Sequence, residues 1–337
     1  MSVGMRTLVF DGPHAFHIED RPRPAVGPDE VLMRVAYVGI CGSDLHGYTG
    51  ESGRRVAGMV MGHEASGWIE EIGRGVKHLE VGEPVTFNPT LPCAGECGHP
   101  VENLCARIGV IGVTPHIPGA FADAVVVPAA RVVPLGALDL MRGALVEPLA
   151  VALQATRQAG VTEGDDVLVI GGGMIGHCIG QTARLLGAGN VTISEGLSTR
   201  RALAEAAGFK AITPDQVEDL PRFDRVLDAV GVSATASASI RAVTKGGTVC
   251  FVGLGTADVS IPLFEVVTAQ RCIVGSFCYT DQVFRDTVRY LEEQRLDAEP
   301  YLGVIEPFER VAEAFEALAD GTRSELKIMM NTGAISP

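Results

Sequence analysis

The sequence predicts an α/β protein of two domains, a β-rich part followed by a doubly wound parallel sheet, and three observations predict it. The chain has 337 residues, long for a single hydrophobic core. Its pattern changes at Leu145, from short β segments broken by Gly and Pro to alternating strands and helices. The third is a glycine-rich turn, Gly171 to Gly176, standing between a buried strand and a helix.

From Met5 to about Val133 the strand signals are VLMRVAYVGI (31 to 40), ASGWIEEIG (65 to 73) and FADAVVVPA (121 to 129), rich in β-branched and small apolar residues with no sustained helical period. After Leu145, DVLVI (166 to 170) leads into a helix, MIGHCIGQTARLLG. VTIS (191 to 194) leads into STRRALAEAAG, and RVLDAV (225 to 230) into TASASIRAVTKGG, before TVCFVG (248 to 253) and CIVGSF (272 to 277). Repeated βα units of this length imply parallel strands joined by right-handed crossovers. Beyond Tyr279, VFRDTVRYLEEQ and ERVAEAFEALADG are apolar at helical spacing.

Charge narrows the function. A formal net charge of -14 opposes a nucleic-acid backbone or an anionic membrane as partner and favours a small uncharged substrate. No apolar run is long enough to span a bilayer, and MSVGMRTLVFDGPHAF lacks the core of a signal peptide, so a cytoplasmic location is expected. Eight cysteines, of which only Cys93, Cys97 and Cys105 cluster, do not form a secreted disulfide framework.

The turn at Gly171 meets the conditions of a dinucleotide fingerprint: a strand before it, a helix after it, and an acid, Glu195, closing the second strand. Gly171 makes the turn, Gly173 lets a pyrophosphate approach the backbone, and Gly176 lets the helix pack on the strand, while the helix N-terminus offers N–H donors and partial positive charge. A carboxylate at 195 accepts from the adenosine ribose hydroxyls and repels the 2′-phosphate of NADP, which favours NAD. Arg200 and Arg201 are the opposing signal.

In the first domain, GICGSDLH carries Cys41, Ser43, Asp44 and His46, GHEASG carries His63 and Glu64, and VEPLAVALQA carries Glu147, with Pro148 expected as the first residue of a helix. Thiolate, imidazole and carboxylate are ordinary zinc ligands, and a catalytic zinc keeps a position open for substrate.

With VLVIGGGMIG, VLDAVG and VCFVGLG following in order, the chain resembles the zinc-dependent medium-chain dehydrogenase/reductase family, the zinc-containing alcohol dehydrogenases, over essentially its full length. Glu rather than Cys at 147 resembles the polyol (sorbitol-type) and threonine dehydrogenase branches. The resemblance implies a GroES-like catalytic domain (1–147 and 279–337) and an NAD-binding Rossmann domain with a six-stranded sheet (148–278). It implies one catalytic zinc held by Cys41, His63 and Glu64, with Glu147 a direct ligand or one bound through water, and Asp44 behind His63. It places Ile175, Val252, Gly253, Leu254 and Phe277 at the cofactor alongside the glycine turn, Glu195 and Arg200.

Such a metal lowers the pKa of an alcohol oxygen from about 16 toward about 7. Ser43 then takes the proton, His46 passes it on, and hydride goes to NAD.

The stretch Cys93 to Cys105 departs from the family. Its structural zinc lobe reads C-x2-C-x2-C-x7-C, whereas this chain reads C-x3-C-x7-C. Three readings stand open: a second zinc on Cys93, Cys97 and Cys105 with His99 or a carboxylate as fourth ligand, a lobe without metal, and a disulfide. In none does the lobe carry the reaction. The substrate expected is a secondary alcohol, namely a polyol, sugar acid, vicinal diol or threonine. Sorbitol itself is disfavoured, because Gly47 and Cys278 stand where sorbitol dehydrogenases carry an aromatic residue and an arginine, although Tyr279 is retained and Tyr48 lies one position late. A homodimer or homotetramer is implied. The alternative function is a metal-free NAD(P)-binding sensor or reductase on the same scaffold.

Overall fold

The computed structural model describes residues 4–93 and 95–334, and the chain divides into two compact units. One comprises 1–147, 280–292 and 298–337, the other 148–279 and 293–297. Tyr279 and the segment 293–297 therefore fall on the dinucleotide side of the division.

The first unit is built on a seven-stranded sheet whose central strand, Glu30–Gly39, pairs antiparallel with Glu64–Ile72, Ala124–Pro128 and Ile328–Asn331. That strand is buried along nearly its whole length, which explains its almost continuous run of Val, Leu, Met and Ala. Its side chains meet Phe87, Phe121, Phe308 and Phe315 in one core. Burying such aromatic and aliphatic side chains contributes roughly 1.5–3 kcal/mol each, and the strand Ile328–Asn331 ties a late piece of chain into the same core.

The second unit is a six-stranded, all-parallel sheet in the spatial order Lys210–Ile212, Asn190–Ser194, Asp166–Ile170, Phe223–Asp228, Val243–Phe251, Cys272–Gly275. The order runs outward in both directions from Asp166–Ile170. The direction in which successive strands are added therefore reverses beside the glycine turn, where doubly wound sheets bind ligands. Lys210–Ile212, the strand with no legible string, is three residues long and begins on an exposed lysine.

Pro148 is the third residue of the helix Val146–Gln158, not the first. It is tolerated because the first four N–H groups of a helix lack intrahelical partners. Among the described residues, no helix is long and apolar enough to cross a membrane.

Candidate active site

Strand register brings the first-unit residues together. Cys41 follows the central strand and precedes the helix Gly42–Tyr48, with its backbone N–H donating to Asp44 Oδ2 at 3.3 Å. Glu64 opens the neighbouring strand directly opposite Gly39. A methyl group on Gly39 would lie 2.2 Å from Glu64 Oε2, so only glycine leaves the carboxylate its place between the strands. Cys41, His63 and Glu64 each offer a ligand atom, all within 4.8 Å of one another. Glu147, only 8% exposed at the start of its helix, acts electrostatically on His63 and on Lys327.

Two cations brace this group. Lys327 Nζ, fully buried, donates to Glu64 Oε2 at 2.5 Å and to the Ile40 carbonyl at 3.0 Å. Arg55 approaches Asp44 Oδ1 at 3.4 Å and donates to the carbonyls of Ser43 and Val113, with its side chain 3% exposed. Asp44 Oδ1 faces His63 Nδ1 at 3.6 Å, beyond hydrogen-bonding distance, so it acts on the imidazole through its charge while Nδ1 makes no hydrogen bond among the described residues. Asp44, Cys41 and Glu147 act on His63 as negative charges, while Lys327 and Arg55 are the cations fixed on Glu64 and Asp44. A divalent cation would suit that set, since thiol, imidazole and carboxylate are ordinary zinc donors.

Without a metal that negative charge falls on His63. Burial pushes its pKa down, but the negative charges of Asp44 first, then Cys41 and Glu147, outweigh burial and raise it to about 10. Imidazolium then stands in for part of the missing cation.

Ser43 is exposed on the helix Gly42–Tyr48, and His46, at 45% side-chain exposure, has Nε2 4.0 Å from Glu51 Oε2. Tyr48 does not replace the aromatic absent at 47. It is buried against Phe16 and Phe315, with its hydroxyl donating to Glu316 at 2.7 Å. Arg55 lies across Gly47 instead: a Cβ there would come within 2.5 Å of Arg55 Cγ.

In the lobe, Cys93, Cys97 and Cys105 converge within 4.8 Å as free thiols. N–H donation from the backbone of His99, ahead of the hydrogen bond with Cys93, lowers the Cys97 pKa to about 6. His99 does not complete the set expected of it. Its Nδ1 accepts from the Val101 N–H at 3.1 Å, and it stands outside the convergent group. The short loop back to Val101 captures the ring before it reaches the sulfurs.

In the second unit the turn leads from Ile170 into the helix Met174–Leu185, capped at Gly173. A methyl on Gly176 would lie 1.8 Å from the Gly171 carbonyl, so the helix packs on the turn only through glycine. Ile175 lies in the first turn of that helix. Glu195 Oε2 accepts from the Gly172 N–H and Oε1 from the Leu197 N–H, each at 2.8 Å, which fixes the carboxylate at the turn. Arg201 is committed to the carbonyls of Glu195 and Gly196, whereas the Arg200 guanidinium reaches toward Gly173. Val252 and Gly253 donate to the Asp228 carbonyl at 2.9 Å, and Leu254 and Phe277 are exposed.

Arg55 and Lys327 escaped the reading of the sequence. Each is a cation that geometry alone reveals as buried. The available signal for Lys327 was a charge immediately before the apolar IMM.

The pattern of the alcohol dehydrogenase GroES-like domain matches residues 27–137, and that of the zinc-binding dehydrogenase matches residues 174–293. Together on one chain they define an oxidoreductase of the zinc-dependent alcohol dehydrogenase class. Sorbitol dehydrogenase from Homo sapiens is 32% identical, covering 96% of this chain and 95% of its own. Among solved structures, an alcohol dehydrogenase from Escherichia coli CFT073 complexed with NADH superposes with a TM-score of 0.90 at 25% identity, covering 97% of this chain and 99% of its own. A zinc-binding dehydrogenase from Sinorhizobium meliloti 1021 bound to NADP does so with a TM-score of 0.89 at 28% identity, covering 98% and 99%. The chain belongs to the zinc-containing alcohol dehydrogenases of the medium-chain dehydrogenase/reductase family, on the polyol branch. Membership brings zinc and a nicotinamide dinucleotide as the family's cofactors.

Proposed function

We propose that this protein oxidises a secondary alcohol of the polyol class with NAD, using one zinc held by Cys41, His63 and an acid from Glu64 and Glu147. The observation that carries the reading is the convergence of the Cys41 thiol with the buried His63 imidazole and Glu64 carboxylate, all within 4.8 Å of one another. When bound, zinc supplies the Lewis acidity that makes an alcohol hydroxyl release its proton near neutral pH, and the nicotinamide ring accepts the hydride. Asp44 sets its negative charge behind His63, Lys327 holds Glu64, Ser43 takes the proton and His46, half exposed, passes it toward solvent.

Glu195, fixed at the turn, supports NAD over NADP through repulsion of a 2′-phosphate. The occupation of the Gly47 region by Arg55, with Tyr48 in the core, supports a polyol, sugar acid or diol other than sorbitol. Exposed Leu263, Phe264 and Val267, together with the open edge strand Cys272–Gly275, support a homo-oligomer of two or four chains.

The test is zinc content per chain together with NADH formation against polyols, diols, sugar acids and threonine, before and after a chelator. Loss and recovery of activity with zinc is expected. Turnover that survives complete metal removal overturns the mechanism. Glu195→Ser should shift the kcat/KM ratio from NAD toward NADP, and an unchanged ratio removes the role given to Glu195.

A further inference from the structure

Among the described residues, one other convergent set of metal-ligating side chains exists besides the Cys41 group: the lobe of Cys93, Cys97 and Cys105. Its sulfurs stand 3.3 Å (Cys105 to Cys93) and 3.6 Å (Cys97 to Cys105) apart. Those separations are far beyond a disulfide bond of about 2.05 Å. The backbone N–H of Cys97 points at Cys93 Sγ at 3.2 Å, and that of Cys93 at Cys105 Sγ at 3.3 Å. Three sulfurs converging this closely, each a ligand atom for a thiophilic metal, form a ready cradle for a cation.

A zinc ion bonds thiolate at about 2.3 Å, and three sulfurs in a plane around it would stand roughly 4.0 Å apart. The triangle here is tighter, so an ion on all three sits above their plane, at the apex of a pyramid, with a fourth direction left over. Among the described residues, no side chain of the lobe stands in that direction with the three sulfurs. His99 is turned to Val101, Glu96 is paired with Arg107 at 2.7 Å, and Glu102 accepts from Arg131 at 2.9 Å and from the Asp281 N–H at 2.8 Å. The four-thiolate closed site of the family does not fit this lobe.

We propose that the lobe is a three-thiolate site for a thiophilic d10 ion, zinc under ordinary supply, whose fourth corner is open to an external ligand such as imidazole or a small thiol. An open corner makes the ion exchangeable, unlike the sealed four-ligand sites that serve only to hold a fold. The proposal is independent of the Cys41 site and survives or fails without it.

Cobalt(II) reports the coordination directly. The holoenzyme is reloaded with cobalt and titrated with imidazole, and the same is done with Cys97→Ser, which loses the lobe, and with Cys41→Ser, which isolates it. The expectation is one ion per chain more in the wild type than in Cys97→Ser. Intense thiolate-to-cobalt absorption should persist in Cys41→Ser, with visible bands that shift on adding imidazole. A shift confined to the part of the spectrum retained by Cys97→Ser would belong to the Cys41 site and overturn the proposal. Equal ion content in the wild type and Cys97→Ser overturns it as well, as does a lobe spectrum indifferent to imidazole or a disulfide among these cysteines in protein prepared under reductant. Should Cys97→Ser fail to fold, Cys41→Ser alone still decides the question.

Discussion

His63 carries the pH dependence of the metal-free site. Its pKa is raised from 6.5 to about 10 in the fold. The protonated ring therefore stabilises the metal-free protein fully below about pH 6.5, and that contribution fades as pH rises through about 10. Zinc needs the neutral ring, so zinc affinity should climb with pH over the same window, with a proton leaving His63 on uptake. An NMR titration of the His63 ring in metal-free protein checks this, and a midpoint at or below 6.5 would sink it. Lys327 makes a second residue-scale claim. Lys327→Met leaves the Glu64 carboxylate, 1% exposed, without its cation. A loss of about 3–5 kcal/mol is expected, largely recovered in the double variant with Glu64→Gln, as read by urea denaturation. Equal stability of Lys327→Met and wild type would mean that Lys327 does not clamp Glu64. Neither Lys327 nor Arg55 was legible in the sequence, since their roles depend on strand register and on a crossing over Gly47 rather than on neighbours along the chain.

At the scale of elements, the glycine turn was legible because its demands are local: a strand, a tight bend and a helix start all lie within one window. Gly176→Ala tests that economy. Its new methyl would meet the Gly171 carbonyl at 1.8 Å, and relieving the clash should cost about 1–3 kcal/mol, or roughly 5- to 150-fold in NADH affinity. Fluorescence titration with NADH measures it, while zinc content should stay at the wild-type value. Unaltered NADH binding would show that the helix does not need its close seat on the turn. The lobe was legible only in part. Spacing brought out Cys93, Cys97 and Cys105, but the orientation of His99 depends on a hydrogen bond to Val101 that spacing does not encode. Lys210–Ile212 was missed because three residues carry too little periodicity to be read as a strand.

At the scale of the molecule, the exposed side chains of Leu263, Phe264 and Val267 accompany an open sheet edge, Cys272–Gly275. Leu263→Glu with Phe264→Glu should convert an oligomer to monomers, as judged by light scattering at matched concentration. Retention of the wild-type mass would move the contact elsewhere. The two-part architecture was readable from the change in pattern at Leu145, because strand and helix periods differ along the chain itself. The return of the late segments to the first unit is a fact of topology, and the sequence hinted at it only through family resemblance.

That return has a consequence for biosynthesis. Lys327 is made 263 residues after its partner Glu64. On the ribosome, Cys41, His63 and Glu64 emerge early, and translation has to run on to Lys327 before the counter-ion arrives. Until then the Glu64 carboxylate lacks its cation and the central strand lacks its partner Ile328–Asn331, so nearly all of the polypeptide has to be synthesised before its oldest ligands can settle.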